Sequence, residues 1–145
     1  MVSSYHSRRY WATTLGFNGQ CEAAFKFYEQ CLGGKIVAMI TYGETPMAEQ
    51  TSVEWHNSIV HARLIAGDAI LMGGDAPPEH HQTPSGFCVS LVVGTAAEAE
   101  RIFAALTEGG VVEMPIEETF WAVRFGMVTD RFSIPWMVSC EQAAA

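Results

Sequence analysis

Five residues of this chain recur at a single spacing. Glu22-Ala23, Phe27 and Gly33-Gly34 are matched by Glu98-Ala99, Phe103 and Gly109-Gly110, each 76 positions further on. Leu15 and Leu91, just upstream, keep the same spacing. A Gly-Gly pair after a helix is common and weighs little alone. A run of matches at one spacing points to an internal duplication, and a duplicated chain must build its fold from two copies of one supersecondary unit.

Each half then reads alike. A short alternating strand comes first, over 11–17 and 86–93. An amphipathic helix follows, with Ala24, Phe27, Tyr28, Cys31 and Leu32 at helical spacing in the first half and Ala99, Ile102, Phe103 and Leu106 in the second. Asn18 and Thr95 are the expected N-caps. Each helix should stop at its Gly-Gly, because glycine accepts the left-handed conformation past a helix end. Three strands complete each half, expected at 35–42, 58–66 and 69–74, then at 111–118, 121–128 and 132–138. Gly67-Asp68 should turn the first hairpin. Two long loops, 43–57 and 75–85, carry prolines and polar residues, and the second links the halves. The expected class is α+β, with two tandem βαβββ modules at 10–75 and 86–140 in one domain, and tails at 1–9 and 141–145.

Composition agrees with one folded unit. The chain has 145 residues, 49% apolar and 17% charged, with a formal charge of −8. Such a balance excludes an intrinsically disordered chain. A net acidic chain also argues against a nucleic-acid partner, which needs a basic surface. No apolar stretch approaches the roughly 20 residues that span a bilayer, so no membrane partner is expected. Cys21, Cys31, Cys88 and Cys140 form no C-x-x-C pair, and Met1 to Tyr10 contains no apolar secretory core. Reduced thiols in the cytoplasm are therefore expected.

Specific stretches carry a family resemblance. They are Gly19-Gln20-Cys21-Glu22-Ala23-Ala24-Phe25-Lys26-Phe27-Tyr28, His61-Ala62-Arg63-Leu64 leading to Gly67 and Asp75, Glu118-Thr119-Phe120-Trp121, and Phe125-Gly126-Met127-Val128-Thr129-Asp130-Arg131-Phe132 followed by Trp136. On these, residues 10 to 140 resemble the vicinal-oxygen-chelate superfamily of glyoxalases, bleomycin-resistance proteins and dioxygenases, and within it the PhnB-like branch. The resemblance implies curved mixed sheets around a cavity, helices packed outside, and a homodimer. Members of this branch have often been labelled 3-demethylubiquinone 3-methyltransferase, but no Gly-rich loop between a strand and a helix is present to hold S-adenosylmethionine. In the metal-dependent relatives four cavity-facing side chains, usually His and Glu, hold one divalent ion. Those positions fall at Ala12 or Thr13, Leu71 or Met72, Cys88 and Trp136. Such a set holds a hard or borderline ion poorly, so no metal and no other cofactor are expected.

Alternation along the strands nominates cavity residues instead. Val60, Ala62, Leu64 and Ala66 form an apolar set for the helices, which turns Ile59, His61, Arg63 and Ile65 to the cavity. By the same rule Phe87, Val89, Leu91 and Val93 pack inward to the core, while Cys88 and Ser90 face the cavity. The candidate constellation is His61, Arg63, Cys88, Trp121, Arg124 and Trp136, with Glu118 near the rim. His61 could act as general base. Arg63 or Arg124 could grip a carboxylate or phosphate, and Trp121 and Trp136 could stack on a planar ligand. The plainer alternative is that His61 is a structural hydrogen-bonding group, that the arginines pair with Glu118 or Asp130 or face solvent, and that the tryptophans fill volume or, with Phe120, an interface. His80-His81, beside Glu79, could bind a metal adventitiously, although adjacent residues rarely converge on one ion. Three functions compete: a metal-free small-molecule-binding protein or enzyme, an antibiotic-sequestering protein of the bleomycin-resistance type, and a metal-dependent lyase or oxygenase with unrecognised ligands.

Overall fold

The computed structural model describes residues 9–141. The tails expected at 1–9 and 141–145 therefore lie outside it, apart from Arg9 and Glu141, and Glu141 closes the last strand. The chain runs β1 (Thr13–Phe17), α1 (Cys21–Leu32), β2 (Lys35–Thr41), three short 3₁₀ turns, β3 (Ile59–Ala66) and β4 (Ala69–Asp75). It continues with β5 (Val89–Val92), α2 (Ala96–Thr107), β6 (Val111–Glu117), β7 (Ala122–Thr129) and β8 (Pro135–Glu141). The two βαβββ modules form two four-stranded mixed sheets, β1-β4-β3-β2 (sheet A) and β5-β8-β7-β6 (sheet B). In each, the first strand lies parallel to the last, and the other pairings are antiparallel.

One face of each sheet carries a helix. A Cβ added to Gly73 would lie 2.6 Å from the Phe25 ring of α1, and one added to Gly126 would lie 2.7 Å from the Phe103 ring of α2. Glycine therefore sits where each helix presses closest on its sheet. The fully buried Ala62, Leu64 and Val138 lie on these helix-side faces, and one continuous core joins the two modules. No closed barrel forms among the described residues, so the expected cavity is an open face on each sheet, turned away from the helices.

The repeat is kept in part. Leu15 and Leu91 hold equivalent places in β1 and β5, paired with Gly73 and Val138. Gly33 and Gly109 both take positive φ, 69° and 75°. The helix matches do not share a face. Ala23 is exposed whereas Ala99 is buried. The buried set Cys21, Ala24, Phe25 and Tyr28 of α1 superposes instead on Ala99, Ile102, Phe103 and Leu106 of α2, a spacing of 78. Two residues are roughly 200° of helix, enough to exchange the buried and exposed faces.

Two buried carboxylates tie the elements together. Asp75 accepts the N–H of Cys21 at 3.0 Å and that of Ile59 at 2.8 Å. It thereby takes the capping role expected of Asn18, because Gln20, not Asn18, occupies the N-cap and makes no side-chain cap bond. Thr95 caps α2 as expected, accepting from the Glu98 N–H at 3.1 Å. Asp130 accepts from the Tyr28 hydroxyl of the other module, the Trp136 indole at 2.8 Å, and the N–H groups of Phe132 and Ile134 at 2.8 and 3.0 Å.

Burial also sets an alkaline limit. It pushes the Cys21 thiol up to about 12, helped by Asp75, and the Cys31 thiol up to about 11. Burial and then Asp130 hold the Tyr28 phenol above its ordinary range. These groups keep their protons in the folded chain after the unfolded chain has lost them. Their stabilisation is complete below pH 9, near the ordinary thiol value of 9.0, and is lost as pH rises toward the folded values. Urea unfolding should therefore lose about 1 kcal/mol per pH unit for each of the two thiols between pH 9 and 11. A Cys21→Ala/Cys31→Ala chain should lose less, and an equal slope in both proteins would contradict this account.

Candidate functional site

The open face of sheet A is built from register. Ala62 and Gly73 pair on the helix side, so their sequence neighbours Arg63 and Met72, which pair with each other, point the other way. Arg63 is paired with Met72 and Ala38, and Met72 in turn with Thr14. His61 is paired with Ile40. His61 and Arg63 thus share the open face, two residues apart on β3, as strand alternation requires. The expectation fails at the start of the strand. Ile59 is buried in the core and Val60 is half-exposed, because the β2–β3 register shifts between Ile40 and Thr41.

Arg63 is half-buried, and its hydrogen-bond partners among the described residues are neutral. Nη1 lies 3.8 Å from the Met72 sulfur and Nη2 donates to the Tyr10 hydroxyl at 3.2 Å. Among the described residues the ion pairs are Lys26–Glu22 and Arg124–Glu100, so no carboxylate neutralises Arg63. His61 makes no side-chain hydrogen bond within this set and stands half-exposed beside it. A guanidinium and an imidazole on a face otherwise lined by Ala38, Ile40 and Met72 form an anion-receptive spot on apolar ground.

The open face of sheet B is aromatic. Phe125 and Met127 alternate with helix-side Gly126 and Val128. Trp121, just before β7, packs edge-on against Phe125 at 5.3 Å between ring centroids, and Phe120 against Trp121 at 4.7 Å. Phe120 is 89% exposed and Trp121 47%. Glu118 is exposed in the same four-residue connection, 118–121. Cys88 is half-buried just ahead of β5.

Two candidates are corrected. Trp136 does not face the open side. It is 1% exposed, paired with Val89 and Val128 on the helix side, and packed edge-on against Tyr28 at 5.2 Å. Its neighbour Met137 takes the open-face position, because a one-residue slip in a strand exchanges its faces. Arg124 also lies on the helix side, opposite Cys140, where Nε meets Glu100 of α2 at 2.7 Å. It is paired with Glu100 and lies off the open face.

The long β2–β3 connection carries features that strand patterns do not report. His56 Nε2 lies 2.9 Å from both the Ala48 and Thr51 carbonyls, pinning the turns, and the Tyr42 hydroxyl donates to the Asp75 carbonyl at 2.8 Å. A cleft of about 530 Å³ opens between this connection and Pro77–Glu79.

A family model described as the Glyoxalase/Bleomycin resistance protein/Dioxygenase superfamily matches residues 12–138. The chain belongs to this superfamily. It is 38% identical over 134 residues to protein YjdN of Escherichia coli (strain K12), across 86% of this chain and 90% of that protein. A crystal structure of protein PA1353 from Pseudomonas aeruginosa is 45% identical, with a TM-score of 0.84, covering 94% of this chain and all (100%) of the other. A PhnB protein of Bacillus cereus, also described with a 3-demethylubiquinone-9 3-methyltransferase label, shares the fold at 22% identity and a TM-score of 0.74, over 91% of this chain and 99% of its own.

The metal of some superfamily members does not fit the residues present. Thr13, Leu71 and Trp136 belong to the helix-side rows, and the open-face positions beside them are Thr14, Met72, Ser90 and Met137. Two hydroxyls and two thioethers are poor donors for a hard or borderline divalent ion. Among the described residues no three His, Cys, Asp or Glu side chains are grouped to hold one. No described helix is long and apolar enough to cross a membrane.

Proposed function

We propose that this superfamily member is a homodimeric small-molecule-binding protein that uses no divalent metal centre and holds an anionic ligand on the open face of sheet A. The observation that carries this reading is Arg63, a half-buried guanidinium with a thioether and a phenol as its partners among the described residues. A ligand carboxylate or phosphate would supply the missing counter-charge through paired N–H donors. His61, about 7 Å along the strand, is placed to take a proton from such a ligand if chemistry follows binding. The outer strands favour a second copy. β2 exposes Val37 and Ile40, and β6 exposes Val111, Val112 and Met114. Apolar open faces of this kind are normally covered by a partner. In a dimer, Trp121 and Phe125 of one copy could wall the ligand held by Arg63 of the other.

Thermal-shift screening of small acids against their neutral amides tests the reading. At least one acid should stabilise the protein where its amide does not. Arg63→Leu should weaken its binding about tenfold or more, as expected for a lost charge-assisted pair. His61→Ala should leave the fold intact and alter binding. Acids bound equally well by both variants would overturn the site, and sedimentation showing only monomer at micromolar concentration would overturn the dimer. A sequestering role is favoured by the exposed Phe120–Trp121 pair and the charge of −8. Salt-sensitive capture of a bleomycin-like cation without turnover, retained by Arg63→Leu, would select it. A stoichiometric metal that activates turnover would select a lyase or oxygenase.

A further inference from the structure

The two modules build the same sheet with very different third connections. β6 and β7 are joined by four residues, 118–121, whereas β2 and β3 are joined by seventeen, 42–58. The fold therefore does not need the longer one, and a long ordered connection in a small domain usually serves binding. This one is ordered by its own hydrogen bonds. Besides the His56 bridge, Thr51 Oγ1 donates to the Met47 carbonyl at 2.7 Å and Thr45 Oγ1 to the Tyr42 carbonyl at 2.8 Å. The Tyr42 hydroxyl fastens it to the end of β4, ahead of the opposite wall.

The cleft so formed has a distinct chemistry. Its walls include the rings of Tyr42 and Trp55, the prolines Pro77 and Pro78, and the carboxylates Glu54 and Glu79, with no Lys or Arg. Neither carboxylate is in an ion pair among the described residues. The indole N–H of Trp55 is buried and has no acceptor, the one such side-chain atom among the described residues. Aromatic faces with nearby carboxylates attract organic ammonium groups. At about 530 Å³ the cleft has the size of a small-molecule site.

We propose that this cleft binds a small organic cation, an ammonium compound. The charge lies between Glu54 and Glu79 against the two rings. The site shares no residue with the His61–Arg63 face and stands whether or not that face binds an acid.

Choline chloride is a suitable probe, with 3,3-dimethyl-1-butanol as its uncharged isostere and sodium chloride as the ionic-strength control. The readout is the Trp55 indole cross-peak in ¹H–¹⁵N spectra of the full chain, assigned with Trp55→Phe. Choline should move that peak saturably, and the isostere and salt should not. Glu54→Gln/Glu79→Gln, two changes at exposed positions, should weaken choline about tenfold while leaving the remaining spectrum in place. Absence of saturation, an equal response to the isostere, or unchanged affinity in the double variant would each overturn the proposal.

Discussion

Asp130→Ala is expected to remove most of the stability of this chain. The carboxylate is 3% exposed and accepts four hydrogen bonds, from Tyr28, Trp136 and the Phe132 and Ile134 amides. Alanine would strand all four donors in a space that solvent does not reach. Each unsatisfied buried donor costs about 1–3 kcal/mol. A loss of roughly 4–8 kcal/mol would then stand against a total stability of about 5–15 kcal/mol for a domain of this kind. Asp130→Asn keeps one oxygen acceptor and should lose less, and Tyr28→Phe, which removes one donor, about 1 kcal/mol. Urea unfolding of the three variants orders them. An Asp130→Ala chain within about 1 kcal/mol of the parent would mean that the network carries little energy.

Gly110→Ala is the second large effect. The repeated Gly-Gly pairs divide their work. The first glycine of each takes a positive φ, at the helix cap itself in Gly33 and one residue past the extended Glu108 cap in Gly109, and the second lets a strand pass at backbone distance. A Cβ on Gly34 would stand 2.7 Å from the Ile65 carbonyl oxygen. One on Gly110 would overlap the Thr129 carbonyl oxygen and lie 3.0 Å from the Asp130 Cα. These obstacles are backbone, so no rotamer relieves them, and Asp130 itself would be displaced. Gly110→Ala should therefore cost about 3 kcal/mol, at the upper end for an overpacked core. Gly109→Ala, strained by its φ of 75°, should cost about 1 kcal/mol. Gly16→Ala, with nothing within 4 Å of the added carbon, should change stability by less than about 1 kcal/mol. Thermal melts of the three give the ranking, and an insensitive Gly110 would contradict the close crossing.

Much of this architecture was legible in the residues because alternation and periodicity are local. The two βαβββ modules, the Gly67 hairpin, the Thr95 cap and the open-face placement of His61 and Arg63 all follow from neighbours in sequence. What escaped depends on partners far along the chain. Asp75 caps α1 from 54 positions away, which no reading of the helix start reports. Trp136 was set facing the cavity through correspondence with a metal-ligand position, and a shift of one residue sufficed to send it into the core. Arg124 was drawn away by Glu100 on α2, and the shared spacing of 76 held for the glycine pairs but not for the helix faces. Phe125 and Met72 were within reach, since each lies on the open face of its own strand.

The hydroxyl that crosses from Tyr28 to Asp130 has an evolutionary side. The α2 position that matches Tyr28 in burial is Leu106, which has no proton to give. The bond between the halves is thus made once, not twice, and neither half alone contains both of its ends. Two copies of the first half would lack the acceptor, and two copies of the second would lack the donor. Whatever symmetric ancestor preceded this chain, its descendants have become complementary rather than equivalent, and the fusion can no longer be undone without taking one of four donors from Asp130 and leaving the Tyr28 hydroxyl without its acceptor.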